Sequence, residues 1–150
     1  MEKKLNGTLI LGEFLPYRLS VLSNRISRAI ADRYEERFQL SMPEWRVMAV
    51  VGEETDLSAG QVAERTAMDK VAVSRAVSKL LQSGRLERHF APDDKRRSVL
   101  ALSEAGKEVY REVGPIAVEY EHKIMEKLTS DEKALLNSLL NKLDDIQLHT

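Results

Sequence analysis

The chain has 150 residues, of which 43% are hydrophobic and 31% are charged, and its formal net charge is −1. This composition is typical of one ordered, soluble domain spanning 1–150, and no apolar run is long enough to cross a membrane. The start MEKKLNG lacks the apolar core of an export signal, which predicts a cytoplasmic location, and the absence of cysteine excludes disulfides and thiolate chemistry.

Helix is the dominant predicted element, and the first helix is long. Apolar residues recur every three or four positions from Leu15 to Phe38, which predicts a helix over about 16–38, entered through Pro16. Two capping-box patterns follow, SMPE at 41–44 and SAGQ at 58–61, in which the serine and the acid or amide satisfy free backbone N–H groups. The sequence therefore predicts a second helix after 41 and a short third helix after 58.

The fourth helix is predicted over 69–84, with Asp69 as its N-terminal cap and Gly84 as its end. At 100° per residue, apolar and polar side chains fall on opposite sides of this helix. The apolar side, which is expected to face the core, contains Val73, Ala76, Val77, Leu80 and Leu81. The opposite side contains Lys70, Val71, Ser74, Arg75, Ser78, Lys79 and Gln82.

A β-hairpin is predicted next, with strands at 85–90 and 99–106 joined by the polar turn APDDKRRS at 91–98. Lys95, Arg96 and Arg97 are adjacent in this turn. A solvent-exposed turn needs only polar residues, and three adjacent cations repel one another, so solvent exposure alone does not explain them. Residues 69–97 contain eight bases and four acids, so this segment carries +4 while the rest of the chain carries −5. One basic segment in an acidic chain indicates a surface that attracts polyanions.

Two further helices complete the chain, one over 104–127 after the cap Ser103 and one after TSDE at 129–132. Pro115 lies inside the first of them, where it cannot donate to the carbonyl of Arg111 and is expected to bend or break the helix. The predicted fold class is therefore mainly α with a small β-hairpin.

The third helix, the turn TAMD at 66–69 and the fourth helix form a helix-turn-helix, whose second helix is shaped to enter the major groove of DNA. The basic hairpin makes this a winged unit, because cations on a hairpin bind phosphates or a narrow minor groove. Arg75 is suited to a guanine edge and Val71 to a thymine methyl. The other candidate DNA-binding residues are Lys70, Ser74, Ser78, Lys79, Lys95, Arg96 and Arg97.

The stretch from LSAGQ to LSEAG, residues 57–106, resembles the DNA-binding core of the MarR family of bacterial transcription regulators. The flanking helices extend this likeness over nearly the whole chain, and its most specific part is Asp94-x-Arg96 followed by LSEAG. The resemblance implies that Arg96 reaches the minor groove, that Asp94 orients it as part of the DNA-binding set, and that Ser74 and Arg75 lie in the major groove.

The resemblance also implies a homodimer formed by the helices at about 9–38 and 103–150, around a winged helix-turn-helix at about 41–102. Such a dimer is expected to bind double-stranded DNA at an inverted repeat. It is also expected to be a repressor that leaves its operator when a small molecule binds. Arg85 departs from the family pattern, which has an apolar residue after the glycine. We expect Arg85 either to add a phosphate contact or to loosen the strand.

An effector such as an aromatic acid is expected in the crevice between the dimer helices and the winged unit. The candidate effector-binding residues are Tyr17, Arg18, Arg25, Trp45 and Arg46. The alternative interpretation places Trp45 in the core and pairs the arginines with neighbouring acids such as Asp32 or Glu35.

The sequence contains no pattern typical of an enzyme. His89, His122 and His149 are scattered and no phosphate-binding glycine loop is present, so no catalytic residue, cofactor or metal is expected. The alternative to a DNA-binding regulator is a winged-helix protein-interaction module that does not bind DNA.

Overall fold

A computed structural model describes residues 7–146 of the chain. His149, and with it the end of the predicted C-terminal helical segment, lies outside the described residues. A short 3-10 turn at Leu11–Glu13 precedes the first long helix. The helices and strands within 7–146 are α1 (Leu15–Phe38), α2 (Met42–Glu53), α3 (Ala59–Thr66), α4 (Lys70–Gln82), β1 (Leu86–Ala91), β2 (Asp94–Leu102), α5 (Glu104–Met125) and α6 (Ser130–Asp144).

The helices from α2 to α6 begin at the capping residues that the sequence predicts. Ser58 and Thr129 form complete capping boxes with Gln61 and Glu132. Ser41 forms half of the expected box: its hydroxyl accepts from the Glu44 N–H at 3.3 Å, and the return bond is not made. Each bond satisfies an N–H group that has no partner inside the helix, which stabilises the start of that helix by about 1 kcal/mol.

The hairpin is longer and its turn shorter than the sequence predicts. Pro92 and Asp93 alone connect the strands, and β2 begins at Asp94 instead of residue 99. Ala91 pairs with Asp94 and Phe90 with Ser98, so residues 95–97 have no partners on β1 and form a bulge. The predicted turn over 91–98 is therefore wrong, because an exposed, charged strand lacks the alternation by which strands are recognised.

The end of β2 and the course of α5 also differ from the prediction. The strand ends at Leu102, and residues 103–106 form the cap and first turn of α5. Pro115 does not break α5, which continues from Glu104 to Met125. Gly114 lacks the Cβ that a proline ring would contact, and Arg111 is exposed to solvent, which can hydrate the carbonyl that Pro115 leaves without a donor.

The core lies where the C-terminal half of α1, α2, α4, the base of the hairpin and α5 meet. Its largest fully buried side chains include Tyr34, Leu40, Met48, Leu80 and Leu100. The core positions predicted on α4 are buried, except that Leu81 is half-buried. The N-terminal half of α1 and the whole of α6, which the structure describes completely, contain no buried residue.

Among the described helices, none is long and apolar enough to cross a membrane.

Candidate nucleic-acid interface

The exposed face of α4 is the centre of the candidate surface. Asp69 caps the helix by accepting the N–H groups of Val71 and Ala72 at 2.8 and 3.0 Å. The preceding turn is tight, since Ala67 adopts a left-handed conformation with φ of 55°. The residues predicted on the polar side of α4 are all exposed, and Val71, an apolar residue on that side, exposes 60% of its surface. The helix therefore presents hydrogen-bonding groups and one apolar group outward together.

Arg88 on β1 extends this surface, although sequence reasoning did not select it. A groove of about 270 Å³ separates α3 from α4, and Arg88 lines it together with Lys70, Ser74 and Ser78. The Arg88 guanidinium also lies 3.5 Å from the Ser98 hydroxyl on the neighbouring strand. Its positive charge was visible in the sequence, but the strand register was needed to place it beside α4.

The hairpin presents Arg96 in an ordered way. The Arg96 backbone N–H and Nε both donate to Asp94 Oδ1, at 3.0 and 3.3 Å, while 93% of the side chain stays exposed. Since Arg96 lies in the bulge, it is not held by a partner on β1. Asp94 therefore restrains the Nε side of the guanidinium, while its two Nη groups remain available to an anion.

Arg97 is used differently from its neighbour. One Nη donates to the Asp56 carbonyl at 3.0 Å and the other to Asp93 at 3.4 Å, and 38% of the side chain is exposed. The bond to Asp56 ties the hairpin to the loop between α2 and α3. Lys95 is fully exposed.

A crevice of about 590 Å³ lies between the end of α2, the hairpin and the first turns of α5. Its walls include the aromatic rings of Phe90 and Tyr110, and two cations from α5, Lys107 and Arg111, lie at its edge. Lys107 pairs with Glu104 at 3.3 Å, whereas Arg111 forms no ion pair with the acids of residues 7–146. The crevice therefore combines an apolar wall with an available positive charge.

The residues predicted to bind an effector are spread along α1 and α2. Tyr17, Arg18 and Arg25 are exposed on α1, where Tyr17 and Arg25 are about 12 Å apart along the helix axis. Arg46 on α2 donates to the hydroxyl of Ser27 at 3.1 Å, and Ser27 lies on α1 close to Arg25 in the sequence. Trp45 is half-buried and packs against the core.

Trp45 belongs to an aromatic cluster beside the crevice. Its ring centroid is 6.0 Å from that of Tyr34 and 5.8 Å from that of Tyr110, which lines the crevice wall. Burial raises the pKa of Tyr34 to about 12. The cluster links the packing of α1 and α2 to the side of the crevice formed by α5.

Comparisons with known proteins agree with this architecture. Residues 38–97 match the sequence model of the MarR family. The HTH-type transcriptional regulator BilQ of Clostridium symbiosum is 31% identical over 93 residues, which cover 62% of this chain and 65% of that protein. The chain thus spans slightly less than two thirds of the length of this curated relative.

Solved structures share the fold over almost the entire chain. A MarR/EmrR family transcriptional regulator from Acinetobacter sp. ADP1 has a TM-score of 0.78 at 29% identity, over 92% of this chain and 100% of that chain. BpsR of Bordetella bronchiseptica, whose DNA binding is regulated by 6-hydroxynicotinic acid, has a TM-score of 0.77 over 94% of this chain and 100% of that chain. At 20% identity, the second likeness concerns the fold alone.

Proposed function

We propose that the chain is a member of the MarR family and that it acts as a sequence-specific DNA-binding transcription regulator rather than as an enzyme or a protein-interaction module. The observation that carries this proposal is the outward-facing basic surface formed by α4, Arg88 and Arg96. This surface lies within a segment of charge +4 in a chain that is otherwise acidic. Such a local concentration of cations favours the DNA phosphate backbone.

Each winged unit is proposed to contact DNA in two grooves. The polar face of α4 enters the major groove, where Arg75 donates to a base edge and Lys70 and Lys79 hold phosphates. Arg96, restrained by Asp94, reaches the adjacent minor groove. Lys95 adds a phosphate contact, and Arg97 holds the wing against the loop at Asp56 while it contributes positive charge.

We propose that the regulator is a homodimer built by the helices on either side of the winged unit at 41–102. Apolar side chains on the N-terminal half of α1 and on α6 are exposed, among them Leu22 at 52% and Leu139 at 48%. The chain exposes 11429 Å², whereas a compact monomer of its 17.0 kDa mass exposes roughly 7,700 Å². A second copy seated on these helices buries part of that excess, and a two-fold dimer reads an inverted repeat.

Selection from a pool of random duplexes at moderate salt tests DNA binding. We expect enrichment of an inverted repeat, with binding lost or greatly weakened in Arg96→Ala and preserved in the control Lys142→Ala, which removes an exposed cation from α6. Affinity is also expected to fall steeply with rising salt, because binding releases counterions from the phosphates. No enrichment, with equal residual binding by all three proteins, would favour the interaction module.

We further propose that the protein is a repressor whose operator binding is weakened by a small aromatic acid in the crevice. Phe90 and Tyr110 supply surfaces for a ring, and Arg111, which forms no ion pair within residues 7–146, supplies a partner for a carboxylate. The crevice touches both the hairpin and α5, so a ligand there contacts the wing directly. BpsR, a protein of the same fold, gives one example of regulation by an acid of this class.

Fluorescence of the single tryptophan separates the crevice from the site predicted on α1. Trp45 packs against Tyr110, so a probe such as 6-hydroxynicotinate or benzoate in the crevice is expected to change its emission. Arg111→Met should weaken this response, while the matched Arg25→Met should not. The opposite pattern would place the effector among Tyr17, Arg18, Arg25, Trp45 and Arg46, and no response to any aromatic acid would contradict this ligand class.

A further inference from the structure

Arg85 lies where four elements of the fold meet. It follows Gly84 at the end of α4 and precedes β1, and its backbone contacts the start of α5. The Ser103 N–H donates to the Arg85 carbonyl at 3.1 Å, and the Ser103 hydroxyl donates to the carbonyl of Gly84. A Cβ built on Gly106 would lie 2.0 Å from the Arg85 carbonyl oxygen. The backbone at Arg85 is therefore packed directly against the first turn of α5.

The Arg85 side chain adds the fourth element, α1. Its guanidinium donates to the carbonyl of Phe38, the last residue of α1, and the side chain is half-buried. A helix ends in carbonyls without partners and carries a partial negative charge there, which a guanidinium satisfies. This contact differs from both sequence expectations for Arg85, the phosphate contact and the loosened strand.

We propose that Arg85 is a positioning residue that sets the orientation of the winged unit relative to α1, and thereby the spacing of DNA half-sites that the dimer accepts. The reason is geometric: α4 and β1 belong to the winged unit, whereas α1 and α5 are the helices that flank it. An apolar residue at this position would keep the packing but lose the bond to α1. The inference rests on the proposed function, because spacing has meaning only when two units bind one DNA.

Three variants separate this role from general stability. Arg85→Leu removes the bond to Phe38 but keeps a large side chain, and Arg85→Lys keeps the charge without the planar guanidinium. Arg37→Leu is the matched control, since Arg37 lies at the same end of α1 but pairs with Glu112 of α5 at 3.1 Å, a contact that does not involve the winged unit. Thermal unfolding identifies the variants that remain folded.

Spin-label distances test the orientation without DNA. The chain has no cysteine, so Glu36→Cys on α1 and Glu64→Cys on α3 give two unique and exposed labelling sites. Labelled chains are diluted with an excess of unlabelled protein, so that each measured pair lies within one chain. We expect a broader distance distribution in Arg85→Leu, an intermediate one in Arg85→Lys and no change in Arg37→Leu. A wild-type distribution in both Arg85 variants would overturn the proposal.

Operator spacing tests the consequence for DNA. Affinities are measured for the selected inverted repeat and for duplexes in which the half-sites are moved apart or together by one base pair. We expect the wild type and Arg37→Leu to prefer one spacing by about tenfold, and Arg85→Leu to lose most of this preference. Retention of the full preference by folded Arg85→Leu would overturn the positioning role. If the wild type selects no duplex, the proposed function fails, and the spin-label distances still decide whether Arg85 orients the two parts.

Discussion

Single residues of the same type have different roles in this chain, and their neighbours decide which. Arg96 and Arg97 are adjacent, yet the side chain of the first is 93% exposed and that of the second is 38% exposed and bonded to Asp56 and Asp93. Arg85 is directed to the end of α1 instead. A guanidinium serves recognition only where the fold leaves its donors free, so the count of arginines in a basic segment overstates the number available to DNA.

Gly106 is expected to be the glycine least tolerant of substitution. Gly106→Ala would place a methyl group 2.0 Å from the backbone oxygen of Arg85, which no side-chain rotation relieves. We expect a loss of roughly 3 kcal/mol or more in the free energy of unfolding, measured by urea denaturation. Gly60→Ala is the control, because its Cβ meets nothing closer than the Ser58 hydroxyl at 3.9 Å. Equal stability of the two variants would contradict the contact.

Tyr34 is expected to make stability depend on alkaline pH. Burial raises the pKa of Tyr34 from 10.0 to about 12, because the buried phenolate is poorly solvated. The unfolded chain ionises this group first, so its contribution to stability is complete below pH 10 and is lost as the pH rises toward 12. The two-unit shift corresponds to about 2–3 kcal/mol.

Comparison with Tyr34→Phe isolates this effect from other groups that titrate in the same range. The difference in unfolding free energy between wild type and variant should be constant below pH 10 and should change above it. A difference that stays constant through this range would show that the hydroxyl ionises equally well in the folded and unfolded chains.

At the scale of elements, α4 combines two functions on opposite sides. Its inward side buries Val73, Ala76, Val77 and Leu80, which fixes the rotation of the helix about its axis. Its outward side consequently presents Ser74, Arg75, Ser78 and Lys79 in a defined order. The core therefore determines which side chains lie on the surface that is proposed to bind DNA.

Substitutions of Arg75 and Lys79 are expected to distinguish base recognition from phosphate binding on this helix. Arg75→Ala should cost about 1–3 kcal/mol of binding and relax the base preference at its contact. Lys79→Ala should weaken binding to all sequences alike and reduce the salt slope by about one unit. Titration of both variants against operators with single base changes, at several salt concentrations, distinguishes them. Identical behaviour across these operators would show that the roles are assigned wrongly.

The helices could be predicted from the sequence because their signals are local. Caps such as Ser58 and Asp69, and the apolar period of α4, depend on residues within one or two turns. The start of β2 was not predicted, because residues 94–97 are all charged and residues 95–97 have no partners on β1. The crevice and the place of Arg85 could not be predicted, since they depend on how distant elements pack.

At the scale of the whole molecule, charge and apolar surface are segregated. The net positive charge is concentrated in residues 69–97, which contain α4 and the turn of the hairpin, and the exposed leucines lie mostly in α1 and α6. This division separates the surface proposed to bind DNA from the one proposed to bind a second copy. Two identical chains can thus associate without covering their basic surfaces.

Association through α6 is expected to depend on its leucine face. Leu140→Glu places a charge within that face, and we expect sedimentation to show a shift from dimer to monomer and loss of tight operator binding. Asn141→Glu is the matched control, because Asn141 lies on the opposite side of α6. A dimer that survives Leu140→Glu would indicate that α6 is not part of the interface.

The bulge in the hairpin lies between two fixed pairs, Phe90 with Ser98 below it and Ala91 with Asp94 at the tip. Residues 95–97 thus lie outside the pairing of β1 with β2. Insertion or deletion of a residue there changes the reach and charge of the wing while the register below it stays the same. An engineered change of the proposed minor-groove contact therefore has a natural place in this segment, and it leaves α4 unchanged.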